Sequence, residues 1–260
     1  AMVVVGAGFI SYFATQIGIP FWIAFILGII LTGILGFIIE RTFLRPMVGE
    51  PVFSVAVLTI GIDILLRVVL DNWIGINPKY MGDPFPSFGN FGSLSIGGIT
   101  IKYLEVTALI ISLILIFVLS VFFKRSKYGV AMRATSLDQE AALAQGINVG
   151  RVFGLVWFIA GLLAAFAGFF ITGGFNTLTN SSFISALRAL PAVVIGGLDS
   201  ITGAVIGSLI IGLTQAYVGY YQFDIESAYN IRLGNGFSIV APYLIMFVIL
   251  LIKPHGLFGT

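Results

Sequence analysis

The feature that most constrains this chain is a series of long apolar stretches. A helix needs about 20 consecutive apolar residues to cross the roughly 30 Å hydrocarbon layer of a membrane. Scanning the 260 residues at that length gives eight stretches: 3–17, 21–39, 52–70, 106–123, 153–172, 183–198, 201–221 and 238–252. The predicted fold is all-α, a polytopic helical bundle of about eight membrane segments forming a single transmembrane domain over 1–260. The sixth stretch is short and carries Arg188 and Pro191, so a short or broken segment is predicted near 183–198. The first starts at the numbered terminus with no charged flank. That argues against a signal peptide and for a missing upstream segment.

Composition removes the competing classes. Only 9% of residues are charged and 58% are hydrophobic, whereas soluble domains carry about 25% charge. The 13 Lys+Arg against 11 Asp+Glu leave no basic stripe for nucleic acid. With no cysteine and a single histidine, His255, no metal cluster and no cysteine nucleophile is expected. There is no G-x-S-x-G elbow and no G-x-x-x-x-G-K-[ST] loop to cradle ATP. A false start of a dinucleotide fingerprint, Val3-Val4-Val5-Gly6-Ala7-Gly8, fails at Ser11. No catalytic residues are predicted; the partner that composition implies is the lipid bilayer.

Orientation follows from where Lys and Arg fall. Connections 40–51 (Arg41, Arg45) and 124–152 (Lys124, Arg125, Lys127, Arg133, Arg151), with Lys253 in the tail, hold eight of the thirteen. These are predicted to be cytoplasmic, and parity then requires 183–198 to cross fully. Connection 71–103 is predicted outside, with turns at Asn77-Pro78, Asp83-Pro84 and Phe85-Pro86. Alternation over 93–101 around Gly97-Gly98 predicts a short hairpin there. This connection reads as an inert cap or as a docking surface.

The cytoplasmic connection 124–152 is the most charged part of the chain, yet its pattern is that of ordered structure. Ser136 with Gln139 three residues later fits a capping box. Asp138 and Glu140 suit the positive end of a helix dipole. Ala141, Ala142, Leu143 and Ala144 favour helix, and Gly146 suits a left-handed C-cap. The predicted helix has about nine residues, too few to be stable alone in water, so it must rest against something. It is either a plain connector or a rigid knob that docks in a cytoplasmic motor protein.

Glu140-Ala141-Ala142 followed by Gly146 resembles the E-A-A-x-x-x-G signature of ATP-binding-cassette importer permeases, without the usual I-x-L-P downstream. The wider pattern resembles permeases of the branched-chain amino-acid importer family. It comprises Glu40-Arg41 and Arg45-Pro46, then Arg133-Ala134 through Gly146-Ile147-Asn148-Val149, and Gly196-Gly197-Leu198-Asp199-Ser200-Ile201-Thr202-Gly203. It closes with the tail Lys253-Pro254-His255-Gly256-Leu257-Phe258-Gly259. Departures are Lys253 for Arg and Asp199 where the family has a small residue. The resemblance implies a multi-pass subunit of a bacterial or archaeal cytoplasmic (inner) membrane that forms the path for branched-chain amino acids or similar small polar solutes. It implies a second permease subunit, two ATPase subunits that carry ATP and Mg, and an extracytoplasmic solute-binding protein. No cofactor is implied in this chain. The ATPase-coupling residues would be Arg133, Ala134, Ser136, Asp138, Glu140, Ala141, Ala142 and Gly146. Alternatives are a permease for urea or short amides, or a self-sufficient secondary transporter or channel.

Ionisable groups at bilayer depth are functional candidates because they are costly there. Asp63 and Arg67, four apart, share a helix face and form either a self-neutralising pair or a gate. Arg188 would face a polar path, attract a substrate carboxylate, or snorkel outward. Pro191 belongs with it in the path set. Gly196-Gly197 before Asp199 suggests a helix break of the kind that lines a transporter site. Gly161, Gly168, Gly203, Gly207 and Gly212 are expected at close helix contacts.

Overall fold

The computed structural model describes residues 1–47, 50–74, 79–80, 93–96, 99–173, 177–178, 189–230, 234 and 236–259. Runs of Ile, Leu, Phe and Ala make ten α-helices among the described residues. Helix α1 (Met2–Ser11) continues as a π-helical turn at Tyr12–Gln16. Helix α2 (Phe21–Ile39) continues as a π-helical turn at Glu40–Leu44 and a 3-10 turn at Arg45–Met47. Then come α3 (Val52–Ile74), α4 (Tyr103–Arg125), α5 (Lys127–Leu137), α6 (Gln139–Ala144) and α7 (Val149–Gly173). Last are α8 (Ala189–Gly196), α9 (Ile201–Tyr229) and α10 (Phe237–Ile252).

Each of the eight apolar stretches contains a helix, but they differ in reach. Phe21–Met47, Phe53–Leu70, Tyr103–Arg125, Val149–Gly173 and Ile201–Ala228 are long and apolar enough to cross a membrane. Met2–Gln16 and Phe237–Ile252 are apolar but shorter. At 1.5 Å per residue, the eight residues of α8 reach only about 12 Å. This helix alone does not make the full crossing that parity demanded. The remainder of that stretch, 183–188 with Arg188, lies outside the described residues.

The chain forms two compact units, Ala1–Phe183 and Ile184–Thr260. In the first, α1, α2 and α7 enclose a core of Val4, Val5, Ala7, Ile10, Phe25, Ile29, Ala165 and Phe169. Missing side chains set how closely these helices approach. A Cβ on Gly161 would lie 2.5 Å from the Thr32 carbonyl oxygen, and one on Gly168 would collide with that of Val3. Phe169 fills the seam between helices, with ring centroids 5.3 Å from Phe21 and 5.1 Å from Phe25, edge-on or tilted as ring quadrupoles prefer. Helices α3 and α4 lie at the margin. Leu109, Leu113 and Phe117 of α4 are all exposed, which suits a helix whose surroundings are as apolar as leucine.

In the second unit Ala192 and Ile195 of α8 pack on Ile211 of α9, with Ile245, Met246 and Ile249 of α10 and Leu257 of the tail around them.

Two small antiparallel pairings complete the fold. Strand β2 (Ser93–Ile96) pairs with β3 (Ile99–Lys102), with Ile96 opposite Ile99, in agreement with the hairpin expected at 93–101. Strand β1 (Lys79–Tyr80) pairs with β4 (Thr177–Leu178), a long-range contact that two-residue strands cannot announce in sequence. The expected turns at Asn77-Pro78, Asp83-Pro84 and Phe85-Pro86 lie outside the described residues.

Candidate functional site

The charged connection after α4 is built by a succession of caps. Ser126 closes the start of α5, its Oγ accepting from the Gly129 amide at 2.9 Å. The Arg133 guanidinium reaches back to the Phe123 carbonyl in the last turn of α4, where cations relieve unpaired helix carbonyls. Arg133 is thus committed within the chain, Ala134 is half-buried beside it, and α5 is a helix that the sequence pattern did not signal.

The capping box read at Ser136 and Gln139 does not form. Ser136 lies inside α5 and its hydroxyl donates to the Arg133 carbonyl at 2.8 Å. Asp138 is the N-cap of α6 instead: its backbone is extended (φ −155°, ψ 113°) and its carboxylate accepts from the Ala141 amide at 3.0 Å. The physical reason is where the backbone leaves the helical course, at Asp138. An N-cap needs a non-helical backbone, and α5 keeps its helical course through Leu137. The predicted helix of about nine residues is therefore shortened to the 6 residues of α6, and the 11-residue α5 precedes it.

The far end of α6 closes as the glycine predicts. Gly146 has φ +79°. Its amide donates to the Leu143 carbonyl at 2.9 Å, and the Ile147 amide to the Ala142 carbonyl at 3.0 Å, the Schellman pattern. Asn148 then caps α7 by accepting from the Arg151 amide at 3.0 Å. Held at both ends, α6 tucks Ala142 into the protein at 3% exposure and leaves Leu143 57% exposed. Glu140, Ala141, Ala144 and Gly146 are exposed with Leu143.

Behind this helix lies a cavity of about 440 Å³, lined by Gln139 of α6, Glu40 and Leu44, Thr59 of α3, and Phe153 and Trp157 of α7. A second, of about 260 Å³, shares Thr59 and Trp157 and is lined also by Ile39, Ile62 and Asp63. Asp63 pairs with Arg67 as its place four residues away foretold, each side chain about one-third exposed. The sequence pattern includes Glu40 and Arg45 but gives no sign of their pairing. Glu40 is 1% exposed, its Oε1 lies 3.5 Å from Arg45 Nε, and Arg45 Nη2 donates to the Gly150 carbonyl at 2.6 Å.

The other path candidates stand in the second unit. The break at Gly196-Gly197 is real, with Gly197 at φ +102°, but the chain's own tail occupies it. The Leu257 amide donates to the Ile195 carbonyl at 2.8 Å and the Phe258 amide to Gly196 at 3.1 Å. Pro191 is fully buried in α8, and Asp199 is exposed in the turn before α9. Gly203 and Gly207 receive the backbones of Gly196 and Ala192, whereas Gly212 opens on space. Among the described residues no group of three acidic or histidine side chains could hold a metal.

Among the described residues, five helices long and apolar enough to cross a membrane give the chain the build of a polytopic membrane protein. Residues 1–252 match the family described as "Branched-chain amino acid transport system / permease component", and the chain belongs to that family. It is 30% identical over 241 residues to the high-affinity branched-chain amino acid transport system permease protein LivH of Salmonella typhimurium, covering 90% of this chain and 73% of that protein. It is 28% identical over 237 residues to the corresponding protein BraD of Pseudomonas aeruginosa, covering 91% of this chain and 74% of that one. A shorter similarity, 29% over 179 residues, links it to the galactose/methyl galactoside import permease protein MglC of Haemophilus influenzae, over 59% of this chain and 52% of that protein. No solved structure matches the chain significantly. Membership makes this a multi-pass permease component, not a catalytic subunit; it places ATP on separate subunits and implies ATPase and binding-protein partners.

Proposed function

We propose that this chain forms part of the translocation path for branched-chain amino acids and that α6 is where an ATPase subunit docks. The complete assembly would hold a second permease subunit, two ATPases and an extracytoplasmic binding protein, with connection 124–152 in the cytoplasm. The observation that carries the docking assignment is the two-sidedness of α6. Ala142 anchors it, while Glu140, Ala141 and Leu143 project from a helix too short to stand alone. Closure of the ATPases on ATP would move this knob and swing the attached helices between two discrete arrangements.

Two LivH-type relatives support the amino acid as cargo. The shorter MglC similarity favours a sugar as the second reading. Proteoliposomes holding the chain with its partner permease, ATPases and binding protein decide between them. The expected result is leucine uptake that requires ATP and is unaffected by collapse of the proton gradient. Galactose uptake in place of leucine would favour the second reading. Flux by the purified chain alone, driven by an ion gradient, would defeat both.

A further inference from the structure

We infer that Glu40, Arg45 and Gly150 form a latch that passes motion of α6 to α3, the loosely packed wall of both cavities. This rests on the docking role proposed for α6.

The latch is built by a change of helical register. At 3.6 residues per turn, residues five apart in an α-helix lie well round from each other. Across the π-helical turn the Arg45 amide donates to the Glu40 carbonyl instead, so Arg45 stacks one turn beyond Glu40 and both side chains serve the same seam. Such π-turns are frequent at functional positions. Glu40 is buried, and neither of its oxygens accepts a hydrogen bond from the described residues; Arg45 is its counter-charge at 3.5 Å.

Arg45 then spans 105 positions of sequence to the Gly150 carbonyl. Gly150 lies in the first turn of α7, four residues beyond the glycine that ends α6. A Cβ at position 150 would stand 2.7 Å from Arg45 Nη2, so any side chain there would make the guanidinium shift.

The surroundings explain why this contact would carry motion. Glu40 lines the 440 Å³ cavity and Arg45 lines another of about 740 Å³, so voids flank the pair. Beyond Arg45 the chain leads into α3, whose most apolar stretch is only 11% buried. Thr59 and Asp63 of α3 line the cavities. A displacement of α6 moves the first turn of α7; Arg45 carries it to the segment that leads into α3.

The test uses the reconstituted importer and reads solute carried per ATP hydrolysed, alongside co-purification of the ATPases. Gly150→Ala favours helix yet pushes the guanidinium away; Arg45→Gln removes the charge. Each is expected to lower the transport-to-ATP ratio about tenfold, within the usual size of a coupling between sites, with the ATPases still bound. The double variant should be no worse than the worse single, because both break one contact. An unchanged ratio in either intact complex overturns the latch. So do losses that multiply in the double variant, and so does loss of the ATPases from both variants, which would mark a purely structural role. If the unaltered chain fails to retain ATPases, the docking reading fails instead.

Discussion

Helices α6 and α8 both end on a glycine in the left-handed region, yet the two ends have opposite fates. Gly146 closes α6 with bonds from its own turn, and no atom lies within 4 Å of where its Cβ would be. Gly197 closes α8 against the tail, and a Cβ there would stand 2.5 Å from the Gly259 amide nitrogen. The first end is finished locally and left open. The second is completed by residues about 60 positions later, whose amides take the carbonyls of Ile195 and Gly196. A glycine that ends a short helix therefore does not distinguish a docking knob from an internal joint. What distinguishes them is whether the chain supplies its own cover.

The contrast can be broken by substitution, beginning where the cost is largest. Gly197→Ala combines an unfavourable φ with a backbone collision and should cost about 3 kcal/mol, read as a lower midpoint of thermal unfolding in detergent. Gly146→Ala meets only the backbone penalty, about 1 kcal/mol; equal damage from both would erase the distinction. Asp138→Ala removes the N-cap of α6 and should also cost about 1 kcal/mol, seen as faster amide exchange at 141–144. Ser136→Ala should change that exchange least, within about 0.5 kcal/mol. Faster exchange in Ser136→Ala than in Asp138→Ala would return the cap to Ser136.

Much of this was legible before the structure. The apolar stretches placed the helices because length and hydropathy alone decide what fills a membrane. Gly146 announced its own left-handed turn, and the alternation around 93–101 announced the hairpin. The cap was misplaced by two residues because Ser136 and Asp138 are both good N-cap residues, and only the backbone bend at Asp138 chooses between them. The latch left no local pattern, since a π-turn inserts no distinctive residue and Arg45 meets Gly150 only in three dimensions. The tail's hold on α8 is made by backbone amides, so its trace in sequence is glycines that read equally well as helix packing. Gly196-Gly197 reads in sequence as a helix break, and α8 does end there, with Gly197 at φ +102°.

Whether an ATPase covers α6 is directly measurable, because the chain has no cysteine. In Leu143→Cys, the only thiol sits at a position 57% exposed on α6. Its reaction with a water-soluble maleimide should slow about tenfold or more once the ATPase subunits bind, as a side chain buried in an interface that excludes water would. An unchanged rate in a complex that demonstrably holds the ATPases would contradict the assignment of α6 as the docking element.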